Sequence, residues 1–191
     1  MGSALNKWSK KHSVMRRYNL TAQMYDERYR EEQEAKFKVA LEGLTLTPAS
    51  TVLDVGCGSG MFFGEVADKA KVVVGLDISR DLLLLARERA GKFGNVVLMQ
   101  ADADHLPFKN GVFGYVFAFT VLQNMPNHLE TLRELQISAT FSACFVVTGL
   151  KAAVPLEKFG MALKKAGLRV ISLRDDKALR CYVVVAVRVP N

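Results

Sequence analysis

The sequence predicts an α/β protein: a seven-stranded, mostly parallel sheet with an antiparallel last strand and helices on both faces. Three observations predict it. From residue 50 onward, short β-branched or aromatic runs alternate with segments of helical periodicity, the pattern of a parallel sheet with helical crossovers. The first of these runs leads straight into a glycine-rich turn. The chain then closes on two strand-like runs whose short polar connection suits an antiparallel pair.

Residues 1–19 read as a loose helical arm, and Thr21–Glu42 as a long charged helix ending at Gly43. Thr51–Val55 is the first strand, followed by a helix over Met61–Lys69 and a second strand, Val72–Leu76. Ser79 can cap a helix over Arg80–Gly91, with Gly91 suited to its C-terminal stop. Strands Val96–Gln100 and Val112–Phe119 come next, both apolar enough for a sheet buried on two faces. Pro126 fits the first position of a helix over Pro126–Thr140, where its missing N–H costs nothing. Ala143–Gly149, a helix over Leu156–Ala166 stopped by Gly167, and the strands Leu168–Leu173 and Cys181–Val189 complete the set. The expected organisation is a Rossmann-like domain over residues 44–191 behind a lid-like helical extension over residues 1–43.

Composition narrows the class. Half of the 191 residues are hydrophobic, enough to offset the entropy of ordering a chain this long without disulfides or structural metal. Cys57, Cys144 and Cys181 are an odd number, far apart and without metal-ligand spacing, which argues against a disulfide framework or a zinc site. The longest apolar run, around Val183–Val187, falls far short of a membrane span. The basic N-terminus lacks a following apolar stretch, and Asn6 stands where a myristoylation signal needs Ser or Thr. A cytoplasmic location is the expectation. The net charge of +7 is uneven: residues 1–17 carry five basic groups and no acidic one, residues 18–150 have a net of −4, and residues 151–191 a net of +6.

The chemistry is carried by Asp54-Val55-Gly56-Cys57-Gly58-Ser59-Gly60, a strand running into a GxGxG turn and then a helix. Glycine is needed where backbone takes positive φ or meets a ligand closely. A dinucleotide fingerprint would place its third glycine at position 61, which is Met61, and the Gly-Lys-Ser/Thr of a P-loop is missing. Asp77 ends the second strand, where a carboxylate can accept from two ribose hydroxyls. Asp102 follows the third strand in Asp102-Ala103-Asp104-His105-Leu106-Pro107-Phe108, placed to accept from an exocyclic amine.

These motifs, in this order over residues 50–149, resemble the class I S-adenosylmethionine-dependent methyltransferases that carry a D-A-x-x-L-P-F segment. The resemblance implies S-adenosyl-L-methionine as cofactor. It implies Gly56, Cys57, Gly58 and Gly60 around the methionine moiety, with Asp54 orienting the turn and the cofactor's amino group. Asp77 would hold the ribose, Ile78 would pack on the adenine, and Asp102 with the Ala103 amide would read its edge. Phe119 and Thr120 would lie beside the methionine moiety. Two departures concern subfamily: Phe113-Gly114 replaces the frequent Phe-Asp, and Ala139-Thr140-Phe141-Ser142 replaces a Pro-Gly-Gly turn.

Tyr25, Tyr29, Gln33 and Lys36 share one helical face. They either staple the helix onto the sheet or lid the cofactor, with Tyr25 or Tyr29 reaching its carboxylate. The segment Tyr25–Phe37 also resembles small archaeal methyltransferases.

The acceptor side is less legible. Thr120-Val121-Leu122-Gln123-Asn124-Met125 is not the Asn-Pro-Pro-Tyr/Phe loop of amine and amide methyltransferases. The cysteines lack the context of a covalent nucleophile and read as small core residues. Gln123 and Asn124 are the candidate acceptor contacts, and neither is a base at neutral pH; His128 is the alternative. Lys7, Lys10, Lys11, Arg16 and Arg17, set among Trp8 and Tyr18, suit phosphates and bases, so RNA, and tRNA in particular, is the first expectation. A small metabolite is the alternative, because the short connections leave no room for a substrate domain. A non-catalytic cofactor-binding subunit is the third reading. The resemblance also admits a small zinc-containing activator protein as partner.

Overall fold

The structure, a computed structural model, describes residues 2–189. Seven strands form one sheet in the order β3-β2-β1-β4-β5-β7-β6: β1 (Thr51–Val55), β2 (Val72–Asp77), β3 (Val96–Gln100), β4 (Phe113–Ala118), β5 (Ala139–Leu150), β6 (Leu168–Arg174) and β7 (Cys181–Arg188). The pairs from β3 through β5 are parallel, and β7 runs antiparallel to both its neighbours.

The helices are α1 (Gly2–Thr21), α2 (Tyr25–Leu41), α3 (Phe63–Val66), α4 (Arg80–Ala90), α5 (His128–Ser138) and α6 (Leu156–Lys165). Strand pleating sends alternate residues to opposite faces. Leu53 and Val55 of β1 join Leu132 and Leu135 of α5 and Phe159 and Leu163 of α6 in one core. Val52 joins Phe37 of α2, Phe62, Phe63 of α3 and Ala86 of α4 in the other. Both faces of the central strands are therefore covered, which accounts for their near-continuous apolar runs. The edge strands differ: β3, expected to be buried on two faces, and β6 are half-buried or exposed over most of their length.

Several boundaries differ from expectation, each for a local reason. The arm is a continuous 20-residue helix, and a 3-10 turn at Ala22–Met24 separates it from α2. The expected helix after the glycine turn is a single α turn followed by a 3-10 turn at Ala67–Lys69. Pro126 is not the first residue of α5: Asn127 is its cap, accepting from the Leu129 amide at 3.1 Å, so the helix begins two residues later. Ser79 caps α4 as expected, through the Leu82 amide at 3.2 Å. Gly91 follows α4 with an ordinary right-handed φ of −60°, so its lack of a side chain is not what ends the helix. β5 starts at Ala139 rather than Ala143, because α5 passes into it without a turn and Phe113 pairs with Ala139.

No helix among the described residues is long and apolar enough to cross a membrane.

Candidate functional site

The carboxyl ends of β1, β2, β3 and β4 meet at the switch in strand order, where β1 lies between β2 and β4. Clefts of open α/β sheets form at such points. Here the cleft is roofed by α1. Asn19 meets the Ser79 hydroxyl after β2 at 2.6 Å, Lys11 meets Asp102 after β3, and Arg17 donates to Asn124 after β4 at 3.0 Å. Lys10 donates to the Met125 carbonyl at 2.8 Å.

The glycine turn is held from below. The amides of Gly56 and Cys57 both donate to the Leu76 carbonyl at the end of β2, at 2.7 and 3.0 Å. Gly58 has φ of +57°, and its amide donates to Asp77 Oδ2 at 2.9 Å. A Cβ there would come within 3.4 Å of the Tyr25 ring. Gly60 has a different task. At φ of +78°, a Cβ would sit 2.4 Å from the Phe63 ring, so this glycine lets α3 pack onto the turn.

Asp77 spends one oxygen on Gly58 and the other on the Ser79 amide, at 2.8 Å. Burial raises its carboxyl above the usual range, while the amides of Ser79, Gly58 and Ile78 pull the other way. Asp54 is more extreme. Its side chain is 2% exposed, its Oδ2 has no hydrogen-bond partner, and burial pushes the carboxyl up to about 8, with Asp77 adding to the effect. Gln33 Oε1 is also buried without a partner, and both residues line one small cavity behind the glycine turn, together with Tyr25, Cys57 and Phe119. Two unpartnered oxygens lining one small buried cavity are open to a hydrogen-bond donor.

The main cavity is lined by Gly56, Gly58, Asp77, Ile78, Asp102, Ala103, Phe119, Thr120 and Asn124, with Tyr25 from α2 and Lys11, Val14 and Tyr18 from α1. Nine of the residues singled out from the motifs, and Tyr25, are thus brought together. Tyr29 is not among the lining residues; it packs on Tyr25 at a ring separation of 5.0 Å. Cys57 lines only the small cavity and Gly60 neither. Gln123 turns away, its Nε2 donating to the Thr120 carbonyl at 2.5 Å. Asn124 is held by Tyr18 and Arg17, with its Nδ2 donating to the Tyr18 hydroxyl at 3.2 Å. All three cysteines are unpaired, and burial raises each thiol above its usual value, as expected of inert core residues.

Three further side chains at this site carry no motif in the sequence. Lys11 reaches inward, its Nζ 2.6 Å from both Asp102 Oδ2 and Asp104 Oδ2. Lys36, 2% exposed, donates to the Thr120 hydroxyl at 2.8 Å, and Thr120 has φ of +59°. Gln33 donates to the Tyr25 hydroxyl at 3.3 Å. The shared face of Tyr25, Gln33 and Lys36 was the available signal.

The cavity holds only about 80 Å³, against roughly 300–1,000 Å³ for a typical ligand site. The donor set suits S-adenosylmethionine, since the unpartnered Asp54 and Gln33 oxygens match an α-ammonium and Asp77 and Asp102 match ribose and adenine. The volume suits it only with α1 displaced.

Residues 53–136 match the family model described as "Methyltransferase domain". Over 95 residues the chain is 32% identical to a demethylmenaquinone methyltransferase of Bacillus licheniformis, covering 48% of this chain and 41% of that protein. Over 129 residues it is 30% identical to a malonyl-[acyl-carrier protein] O-methyltransferase of a Marinomonas species, covering 66% of this chain and 47% of that protein. The match thus spans less than half the length of either relative. Among solved structures, an S-adenosylmethionine-dependent methyltransferase from Aquifex aeolicus shares the fold with a TM-score of 0.75 at 23% identity, over 88% of this chain and 97% of that one.

Proposed function

We propose that the protein, whose residues 53–136 match the methyltransferase-domain family model, transfers a methyl group from S-adenosylmethionine to a small metabolite. The observation that carries the cofactor is the buried pair of unpartnered oxygens, Asp54 Oδ2 and Gln33 Oε1, behind the glycine turn. When bound, S-adenosylmethionine supplies an electrophilic methyl group on a sulfonium, a good leaving group.

The residues then have mainly to hold and shield. Asp54 and Gln33 would accept from the α-ammonium, Asp77 from the ribose, and Asp102 from the adenine amine. α1, which must shift to admit the cofactor, would exclude water where it closes back over the strand ends. Holding an acceptor in line at roughly 3–3.5 Å can contribute about 7–11 kcal/mol. Asn124, held by Tyr18 and Arg17, is a polar side chain on the β4 side of the cofactor cavity.

The acceptor reading follows the relatives, whose names specify a demethylmenaquinone and a malonyl thioester carrier. RNA, the first expectation, has less support. Lys11 is turned inward to Asp102 and Asp104, and Arg17 is engaged with Asn124. Incubation with methyl-labelled cofactor and either total RNA or a small-molecule extract tests the choice. Label in the small-molecule fraction is expected; label confined to RNA contradicts it.

A further inference from the structure

Beside the cofactor cavity lies a second, open cleft of about 860 Å³. Its walls are α1, through Lys7 and Lys10, the start of α5, through His128 and Leu129, and α6. Lys158, Met161, Ala162 and Lys165 fall at helical spacings of three, four and seven, so α6 turns one face to the cleft. Its opposite face, with Phe159 and Leu163, is buried in the core.

Four lysines therefore line one concavity, and no carboxylate lines it; the Lys10 ammonium is engaged with the Met125 carbonyl. The nearby Glu130 is taken up by Lys7, at 2.6 Å. Neither Lys158 nor Lys165 has an ion-pair partner among the described residues. The lining is not polar throughout: Pro126, Leu129 and Ala162 contribute apolar surface, and Met161 is 52% exposed. The cleft also adjoins the cofactor cavity. Lys10, on its wall, bonds the carbonyl of Met125, which lines that cavity.

We propose that this cleft receives the methyl acceptor and that the acceptor is an amphiphilic anion, a phosphate or carboxylate on an apolar body. The inference rests on the methyltransferase reading and names the substrate class of that same site. The lysines neutralise the anionic group, Met161 and Leu129 cover the apolar body, and the Lys10–Met125 contact sets how far the ligand reaches toward the methyl group. It also gives the two basic ends of the chain a common purpose, since Lys7 and Lys10 come from one and Lys158 and Lys165 from the other. A nucleic acid needs cations strung along a path for successive phosphates; here they face one another across a cleft.

Octyl phosphate is the probe, with octyl glucoside as the uncharged control. Titration of the full chain, followed by calorimetry and by the methyl NMR signals of the methionines, should show octyl phosphate binding with a shift at Met161. The Lys158→Glu/Lys165→Glu variant, checked for native circular dichroism, should bind it at least tenfold more weakly and bind S-adenosylmethionine unchanged. Absence of octyl phosphate binding, equal binding by the variant, or equal binding of octyl glucoside overturns the proposal. So does displacement of octyl phosphate by a short RNA with the same lysine dependence. S-adenosylmethionine binding by the unmodified chain is measured separately. Its absence counts against the methyltransferase reading, whereas failure with octyl phosphate alone counts against the acceptor class.

Discussion

The ammonium of Lys11 lies 2.9 and 2.6 Å from the two carboxylate oxygens of Asp102, the residue proposed to read the adenine. Asp104 shares the same ammonium at 2.6 Å. α1 is thus fastened over the cofactor cavity by a group that competes with the cofactor for Asp102. Lys11→Ala should release α1 and raise the association rate for S-adenosylmethionine several-fold in stopped-flow binding. It should also lower thermal stability, since two largely buried carboxylates lose their counter-charge. A slower or unchanged association rate would contradict the competition.

That ion pair also has a pH signature. Burial lowers the Lys11 pKa, but the bonds and charges of Asp102 and Asp104 more than offset this and leave it above the ordinary lysine value. A raised folded-state pKa stabilises the fold fully below the unfolded value near 10.5 and is lost as pH rises through the folded value. In Lys11→Ala, the stability loss relative to the parent should be largest at neutral pH and shrink in strongly alkaline solution. Denaturant titrations across that range measure it.

Asp54 also has a raised pKa, but burial rather than a partner raises it. Its folded pKa of about 8 stands above the ordinary 3.8, so between those values the unfolded state gives up a proton that the folded state keeps. This contribution therefore costs stability as pH rises from about 4 to about 8 and is level beyond. An ammonium bound beside Asp54 favours the carboxylate, so cofactor binding near pH 6.5 should release a proton. Calorimetric enthalpies that vary with the ionisation enthalpy of the buffer would show it, and Asp54→Asn should remove that dependence. Buffer-independent enthalpies in the parent chain would refute the assignment.

Gly58 and Gly60 should separate by readout. Gly60→Ala drives a Cβ into the Phe63 ring and should cost stability, by roughly 1–3 kcal/mol for overpacking. Gly58→Ala meets only the edge of Tyr25 at van der Waals distance, although positive φ still costs about 1–2 kcal/mol. Its larger effect should be on cofactor affinity, because Gly58 lines the main cavity. Melting curves and calorimetry on the two variants distinguish the roles; equal losses of affinity would contradict the division.

Much of this was legible from local chemistry. β1, the glycine turn and Asp77 follow from an apolar run, three small residues and a strand-end acid, and the structure places them together. The antiparallel β6–β7 pair follows from its short polar connection over residues 175–180. The start of β5 was hidden because no glycine or proline marks the passage from Ser138 to Ala139. The role of α1 was hidden for another reason. Its lysines look alike in sequence, and only the fold sends Lys11 inward to Asp102 while Lys7 and Lys10 turn to the cleft beyond α5. Lys36 was visible as part of a helical face, but its bond to Thr120 joins residues 84 apart.

The central claim is that the glycine turn and Asp77 hold S-adenosylmethionine. Isothermal titration of the parent chain and of Asp77→Ala with that cofactor tests it most directly. The parent should bind one equivalent, and the variant at least tenfold more weakly, since each charge-assisted bond lost contributes about 1.5–3 kcal/mol. No binding by the parent, or equal affinity in a folded variant, would contradict the account.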